Sequence, residues 1–367
     1  MARIALSLCC ALALAACAPR GTITLDPAAG QVGKVTPIYV GTTRAFDAQT
    51  GRFTASRAET VDYARLDVSV PPERALGTVP FPARHEKPNP AKDFLTTSEQ
   101  FFTAPARFRD SLARALARQP GGPEAVVYVH GFNNTFAEGV YRIAQISHDL
   151  DVPGVAVTYS WPSAGHPLAY AYDRDSALFA RDGLEQLLTQ VARAGARRIL
   201  LVGHSMGAEL VMEALRQMRL DGNAQVMRRI SGVILISPDL DVEVFRSEAL
   251  RIGKLPQPFI IFTSQRDRAL ALAARLTGER QRLGNLTDVK RLADLKVTVL
   301  EVGAFSKGLG HFTAATSPAL IRILSRIADV NAAYARDPTA RTGLLPGVVL
   351  TVRNATQVVL TPLTAIP

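Results

Sequence analysis

The sequence predicts an α/β protein with a mostly parallel central sheet flanked by helices. Six short runs rich in β-branched residues carry apolar side chains at consecutive positions; they lie at 125–129, 154–161, 198–202, 232–237, 258–264 and 296–302. Such runs are typical of strands buried on both faces of a parallel sheet. Segments with apolar residues at helical spacing separate several of them, at 136–150, 175–194, 206–220 and 317–335. This alternation predicts the parallel sheet and its covering helices.

The N-terminal half of the domain adds a different kind of strand. "VTPIYVGTTR" and "YARLDVSVPPE" are β-like and precede the alternating region. We expect them to form antiparallel strands at the N-terminal edge of the sheet, within one domain spanning residues 35–335. The tail at 336–367 contains an apolar, β-prone stretch from residue 343 onward. It is predicted to be either an added β-hairpin or a docking strand.

The first sixteen residues have the form of an export signal. Arg3 is followed by an apolar run over residues 4–16, which is too short to span a bilayer comfortably. The next residue, Cys17, completes "LAAC", which resembles a bacterial lipobox, a signal in which the chain is cut before a cysteine that becomes lipidated. We therefore expect residues 17–34 to be a lipidated cysteine and tether, and the protein to be anchored in the bacterial cell envelope, facing the periplasm from the outer membrane. An ordinary secretory signal that contains a cysteine is the alternative.

Composition narrows the classes of partner and of nucleophile. The chain of 367 residues is 47% hydrophobic, enough for a large buried core, and its formal charge is +10. The arginines are scattered, which favours solvated helix faces over a nucleic-acid site, with attraction to anionic lipid headgroups as a secondary reading. The three cysteines are Cys9, Cys10 and Cys17, so processing at Cys17 would leave no pair for a disulfide and no cysteine nucleophile.

Ser205 lies in "GHSMG", between the predicted strand at 198–202 and the predicted helix at 206–220. A G-x-S-x-G at a strand-to-helix junction is typical of a nucleophile elbow, in which the glycines leave room for a sharp turn. Glycine-rich turns can also bind phosphate, but neither G-x-G-x-x-G nor the Lys-Ser/Thr of a P-loop is present here. The sequence therefore predicts a nucleophilic serine.

A serine nucleophile needs a base, and the base needs an orienting acid. His311 is the one histidine after Ser205 in the chain, and it lies between the last predicted strand and the last predicted helix. Asp267 follows the strand at 258–264 and is the predicted acid. Asp239 and Asp241 follow the preceding strand and stay open as alternatives, because some hydrolases draw the acid from that position.

Two backbone N–H groups are predicted to form an oxyanion hole. One belongs to Met206, directly after the nucleophile, and the other to Phe132 in the loop "HGFNNTF" after the first parallel strand. Gly131 would let that loop approach the substrate closely. Tyr159, Trp161 and Tyr170 are candidates for the substrate pocket, with a place in the core as the competing interpretation. The scattered histidines show no metal-ligand spacing, so we expect neither a metal nor a cofactor.

Taken together, "VHGFNN", "YSWPS", "GHSMGAELV" and "SPDLD" resemble the α/β-hydrolase fold, and more narrowly the bacterial family described as alpha/beta hydrolases of unknown function. The opening "IYVGTTR" and "VSVPPERALG" are also similar to that family, and the resemblance spans about residues 36–335. It implies a serine hydrolase triad on Ser205, an acid and His311, and it supplies no substrate.

Three functions follow from these observations. The first is a carboxylesterase or lipase-like enzyme acting through an acyl-enzyme on a small-molecule or lipid ester. The second is a thioesterase or amidase with the same triad. The third is a non-catalytic envelope lipoprotein that uses the fold as a binding module. The sequence argues against this third function, because every expected catalytic position is filled.

Overall fold

The computed structural model describes residues 20–83, 85–278, 281–306, 311–324, 347–352 and 354–360. The predicted signal sequence and Cys17 lie outside these residues. The described strands are β1 (Lys34–Asp47), β2 (Arg52–Val70), β3 (Leu95–Phe102), β4 (Glu124–Val129), β5 (Val155–Ser160), β6 (Arg198–His204), β7 (Ile230–Ile236), β8 (Phe259–Thr263), β9 (Val297–Glu301), β10 (Gly347–Val352) and β11 (Ala355–Leu360).

These strands form one sheet in the order β10-β11-β9-β8-β7-β6-β4-β5-β1-β2-β3. The strands from β11 to β1 in that order are mutually parallel, whereas β2 and β3 at one edge and β10 at the other pair antiparallel. The predicted fold class, a mostly parallel sheet with antiparallel N-terminal edge strands, is confirmed.

The described α-helices are α1 (Pro105–Ala117), α2 (Phe136–Asp149), α3 (Tyr170–Phe179), α4 (Arg181–Arg193), α5 (Met206–Leu220), α6 (Ala224–Met227), α7 (Val242–Ile252), α8 (Arg268–Leu276), α9 (Thr313–Thr316) and α10 (Pro318–Leu324). Short 3₁₀ helices lie at Pro27–Gln31, Leu283–Asn285, Val289–Leu292 and Gly303–Phe305. None of the helices in the described ranges is both long and apolar enough to cross a bilayer.

Helices cover both faces of the sheet and produce two cores. Apolar side chains of α1, α4, α5 and α7 pack on one face, and those of α2, α9 and α10 pack on the other. In β4, Val127 belongs to the first core and its neighbours Val126 and Tyr128 to the second. Because both faces are covered, the strands carry no polar alternation, which is the pattern seen in the sequence.

Several elements differ from the sequence-based expectation. The helix expected over 175–194 is two helices, α3 and α4, which meet at Ala180. Strand β3 and helix α1 were not predicted; β3 alternates exposed and buried residues only weakly.

The tail was predicted to be either an added hairpin or a docking strand. In the structure, β10 and β11 form an antiparallel hairpin, and β11 pairs in parallel with β9 as part of the same sheet.

Candidate active site

A sharp turn between β6 and α5 presents Ser205 at the carboxyl edge of the sheet. Ser205 has φ 54° and ψ −123°, in the left-handed region that side-chain-bearing residues seldom occupy. Its N–H donates to the carbonyl of Ile236 at 2.9 Å, which holds the turn against β7. A Cβ at Gly207 would collide with the carbonyl oxygens of Val129 and His130, so only glycine lets α5 begin this close to β4.

Three side chains form a hydrogen-bonded chain at this turn. Ser205 Oγ lies 2.8 Å from His311 Nε2, and His311 Nδ1 lies 2.8 Å from Asp267 Oδ2. The Ser205 and Asp267 side chains are buried, whereas the His311 side chain is 23% exposed. The imidazole therefore links a buried carboxylate to a hydroxyl at the edge of solvent, and it can accept the hydroxyl proton at Nε2 when Nδ1 carries the other proton.

Asp267 is fixed by the helix that follows it. It is the N-cap of α8, and its Oδ1 accepts the N–H of Leu270 at 3.0 Å while Oδ2 faces His311. Both carboxylate oxygens are thus engaged, and the cap fixes which one meets the imidazole. Within the described part of the chain, this is the carboxylate that contacts His311.

The two alternative acids lie elsewhere. Asp239 is buried and pairs with Arg282, whose Nε is 3.1 Å from Asp239 Oδ1, and it accepts a hydrogen bond from the Tyr170 hydroxyl at 2.9 Å. Burial raises the pKa of Asp239, and the Arg282 charge opposes that shift. Asp241 caps α7 through the N–H groups of Glu243 and Val244. The structure brings neither of these carboxylates to the imidazole.

The loop after β4 lies directly beside the nucleophile. A Cβ at Gly131 would stand 2.8 Å from Ser205 Cβ, so glycine is required for the main chain to pass here. Phe132, the next residue, packs its ring edge-on against Tyr170 with 5.4 Å between centroids. Met206 is the first residue of α5, so its N–H has no partner within the helix and points out of the first turn. Met206 thus directly follows Ser205, and Phe132 directly follows the glycine that passes beside it.

A buried arginine that the sequence reasoning missed holds this loop in place. Arg44, near the end of β1, is 2% exposed, and its guanidinium donates to Ser160 Oγ and to the carbonyls of Ser163 and Asn134, each at 2.9 Å. Burial lowers the pKa of Arg44 to about 10, and the nearby Asp173 carboxylate opposes that shift. One planar group thus ties the loop after β4 to the end of β5 and the segment that follows it.

Asp173 completes the support from the other side. This buried carboxylate at the start of α3 accepts the N–H of Asn133 at 3.1 Å, the Ser163 hydroxyl at 2.5 Å and the N–H of Ala164 at 2.7 Å. Asn133 has φ 58°, in the left-handed region that asparagine adopts more readily than most residues with a side chain. The sequence signal for the buried Arg44 was "TTR" in β1, because an arginine within an apolar strand requires buried hydrogen-bond partners.

Two further histidines lie nearby and cannot serve as bases. His130 is fully buried, stacks on Trp161 at 4.9 Å between centroids, and has its pKa lowered to about 3 by burial and by the Arg44 charge. His204 packs against Phe312 at 4.0 Å, and burial lowers its pKa well below the usual value. Both are neutral structural rings at physiological pH.

Two of the three pocket candidates are in the wrong place for that role. Tyr159 and Trp161 are 0% exposed: the Tyr159 hydroxyl donates to the carbonyl of Ala180, and the Trp161 indole donates to that of His130. Both rings lie in the core because β5 is covered on both faces, so the pocket assignment is wrong for them. Tyr170 is only partly buried and lies between Phe132 and Asp239, beside the site.

No group of three or more histidine, cysteine, aspartate or glutamate side chains within the described residues is placed to hold a metal ion.

The Glu209 carboxyl, on the first turn of α5, has an altered pKa. Burial, with repulsion from Asp239, raises the pKa of Glu209 to about 7. The charges of Arg174 and Arg282 oppose this shift.

Residues 104–327 match the family described as "Alpha/beta hydrolase of unknown function (DUF900)", which covers more than half of the chain. The chain belongs to this family of alpha/beta hydrolases. A comparison with curated proteins gave no match. The family resemblance read from the elbow and loop motifs is thus confirmed, and the family description assigns no substrate.

Solved hydrolases show weaker similarity. Lipase B of Aspergillus fumigatus is 14% identical with a TM-score of 0.37, and the match covers 55% of this chain and 51% of the lipase, so the chain spans about half of its length. An esterase of Pyrococcus furiosus is 12% identical with a TM-score of 0.36, covering 86% of this chain and 96% of the esterase. An esterase of Rhizomucor miehei is 16% identical with a TM-score of 0.34, and the match covers 84% of this chain and 87% of the esterase.

Proposed function

We propose that this protein is a serine hydrolase of the carboxylesterase or lipase type. The Ser205 hydroxyl attacks the acyl carbonyl carbon while His311 Nε2 takes its proton. The tetrahedral intermediate then expels the alcohol, which receives that proton from His311, and leaves an ester on Ser205. Water, deprotonated by the same nitrogen, attacks this acyl-enzyme; the bond to Ser205 Oγ then breaks, Oγ regains the proton from His311, and the acid is released. Asp267 holds Nδ1–H and stabilises the imidazolium in both halves.

The oxyanion of each tetrahedral intermediate is bound by the N–H groups of Met206 and Phe132. Both belong to backbone that is fixed before substrate arrives, one by the helix start and the other by the Arg44 and Asp173 hydrogen bonds. Preorganised donors of this kind stabilise charge that develops only in the transition state. They act through kcat rather than through substrate affinity.

One observation carries the proposal: Ser205 Oγ lies 2.8 Å from His311 Nε2, and His311 Nδ1 lies 2.8 Å from Asp267 Oδ2. This hydrogen-bonded chain begins at a strained strand-to-helix turn, and a serine with only a structural role would not need the positive φ. Among the substrates open to such a triad, we propose a carboxylic ester. We also propose that a lipid on Cys17 holds the enzyme in the cell envelope. The "LAAC" pattern supports the anchor.

The test is covalent labelling and ester turnover. We expect a fluorophosphonate probe to label the parent chain once, and Ser205→Ala to abolish both labelling and p-nitrophenyl ester hydrolysis, with a loss in kcat on the order of 10⁴-fold or more. The melting temperature should change little, since a small buried hydroxyl becomes a methyl group.

Ser247→Ala, at an exposed position on α7, is the matched control and should behave like the parent. A folded parent chain that takes no label, or a Ser205→Ala variant that keeps near-parental turnover, would refute the proposed enzyme.

A further inference from the structure

An apolar patch covers one corner of the molecule. It consists of Phe46, Phe53, Phe101 and Leu25, and we call it the aromatic patch. Phe46, Phe101 and Leu25 are 43%, 46% and 57% exposed. The rings are in mutual contact, with centroid distances of 5.2 Å for Phe46–Phe53, 5.6 Å for Phe46–Phe101 and 5.9 Å for Phe53–Phe101. Clustered exposed aromatics of this kind mark an interaction surface.

The aromatic patch lies on the same side of the sheet as the nucleophile. Strand β1 runs parallel to β5 as far as the Thr42–Ser160 pair and then continues to Asp47, so its hairpin with β2 projects beyond the carboxyl edge. Phe53 contacts Phe136, the first residue of α2, at 5.0 Å between centroids. Phe136 follows the oxyanion-hole residue Phe132 by four positions, so the aromatic patch borders the catalytic loop.

A cleft of about 430 Å³ opens within this corner. Leu25, Phe53, Phe101 and Phe136 give it apolar walls, and Arg52 adds a charged side chain to the lining. Glu99 also lines it, and burial raises the pKa of that carboxyl, opposed by the Arg52 charge. Apolar walls beside Arg52 and Glu99 suit a ligand that has both an apolar chain and a polar end.

The N-terminal segment fixes how this corner would face a membrane. Arg20 donates to Asn133 Oδ1 and to the Asn133 carbonyl at 2.8 Å each, and pairs with Glu138 at 2.7 Å. The Gly21 carbonyl accepts the Thr135 hydroxyl at 2.8 Å. Cys17 precedes Arg20 by three residues. Three residues span at most about 10 Å, so a lipid on Cys17 would lie beside the catalytic loop and the aromatic patch.

We propose that the aromatic patch docks on a lipid bilayer, with its side chains in the interfacial region and the active-site edge facing the membrane. Aromatic and aliphatic side chains gain free energy by leaving water for this region, and they add to a lipid anchor while fixing orientation. The exposed Arg20 and Arg52 flank the corner and attract anionic headgroups. For the proposed hydrolase, on which this step rests, the substrate class is then an acyl ester of a membrane lipid.

The experiment exploits the single tryptophan of the chain. Trp161 is 0% exposed and common to every protein compared, so subtracting the emission of the Ser205→Ala protein leaves the signal of an introduced tryptophan. The full chain with Ser205→Ala receives either Phe101→Trp or Leu250→Trp. Leu250 is 59% exposed and lies near the end of α7, toward the opposite edge of the sheet. Each protein is mixed with vesicles of phosphatidylethanolamine and phosphatidylglycerol that carry brominated acyl chains.

We expect the tryptophan at position 101 to shift to the blue and to lose roughly half of its emission, as for a ring at the headgroup boundary. The tryptophan at position 250 should keep its emission. Protein that fails to float with the vesicles, or that floats without quenching at position 101, overturns the docking. Equal quenching at both positions also overturns it. So does a change in emission at position 101 that depends on protein concentration and not on lipid, because it would mean that a second copy covers the aromatic patch. Fluorophosphonate labelling of the parent chain tests the hydrolase separately.

Discussion

Ser205 adopts a backbone conformation that costs free energy, on the order of 1–3 kcal/mol for a residue with a side chain. The cost is sustained because neighbouring contacts leave no alternative: the N–H is held by Ile236, and Gly207 seats the helix on the carbonyls of Val129 and His130. The same turn aims Oγ at His311. Strain and reactivity therefore have one structural cause at this residue.

The acid is the residue whose replacement separates catalysis from stability. Asp267→Asn keeps the shape but removes the acceptor that selects the imidazole tautomer, so we expect kcat for a p-nitrophenyl ester to fall roughly 10³- to 10⁴-fold with little change in KM. Asp239→Asn instead removes the charge that pairs with the buried Arg282. This should lower the unfolding free energy by about 3 kcal/mol and lower the melting temperature with it. Measured kcat and thermal unfolding of both variants check this, and a larger loss of kcat in Asp239→Asn would overturn the assignment.

At the scale of elements, the loop after β4 owes its position to contacts distant in sequence. Arg44 in β1 and Asp173 in α3 reach it from opposite sides, and both also bind the segment after β5. In the proposed mechanism this loop carries the Phe132 N–H, so its position would decide whether an oxyanion is stabilised. The helix after it begins with a capping box of Thr135 and Glu138, which fixes its entry.

Arg44→Lys tests this support. A lysine cannot reproduce the fork that binds Ser160, Ser163 and Asn134, so the loop should shift and kcat should fall roughly 10- to 100-fold with little change in KM. Arg65→Lys, on β2 and paired with Asp67, is the matched control and should retain parental kcat. Equal kinetic effects in both variants would contradict a role specific to the loop.

The contact between α5 and α7 makes stability depend on pH. Burial, together with repulsion from Glu213, raises the pKa of Glu248 to about 9. The folded state therefore keeps a proton between the unfolded pKa near 4.5 and about 9, where the unfolded chain has released it. The stability that Glu248 contributes is fully present below its unfolded-state pKa and is lost as pH rises through its folded-state pKa. The free energy of unfolding should therefore fall with rising pH.

Glu248→Gln should flatten that decline, which calorimetric melting at pH 5, 7 and 9 would measure. We expect the parent to lose several degrees more than the variant across this range, on the order of 1 kcal/mol or more. Glu243→Gln, on the same helix with a side chain 84% exposed, is the control and should follow the parent. Parallel curves for parent and Glu248→Gln would contradict the buried neutral acid.

At the scale of the whole molecule, the parallel sheet would end at β9 without the tail hairpin. Ala355 and Leu360 of β11 are buried, and the strand pairs with β9 from Val297 to Glu301. Ending the chain at residue 346 would expose the edge of β9. We expect a lower melting temperature and concentration-dependent aggregation, because an unpaired apolar edge strand recruits other chains. A chain ending at Leu360 is the control, and light scattering with thermal unfolding compares the two.

Much of this fold was predictable from the chain itself. Runs such as 125–129 and 198–202 are apolar at every position, which occurs only where both faces of a strand are covered, so the parallel sheet was readable locally. Ser205 and His311 followed from a short motif and from chain order. The division of 170–193 into α3 and α4 was not readable, because both helices continue one apolar period and the break at Ala180 depends on packing.

By itself, the sequence determined the sheet class, and it predicted the turn at Ser205, the role of His311 and two backbone donors, because each depends on neighbouring residues or on chain order. The tertiary structure decided which aspartate meets the imidazole, placed Tyr159 and Trp161 in the core, and revealed Arg44 beneath the catalytic loop. Asp267 and His311 are 44 residues apart, and Arg44 and Ser163 are 119 apart. Pairing at such separations is set by how the elements pack, and no local pattern records it.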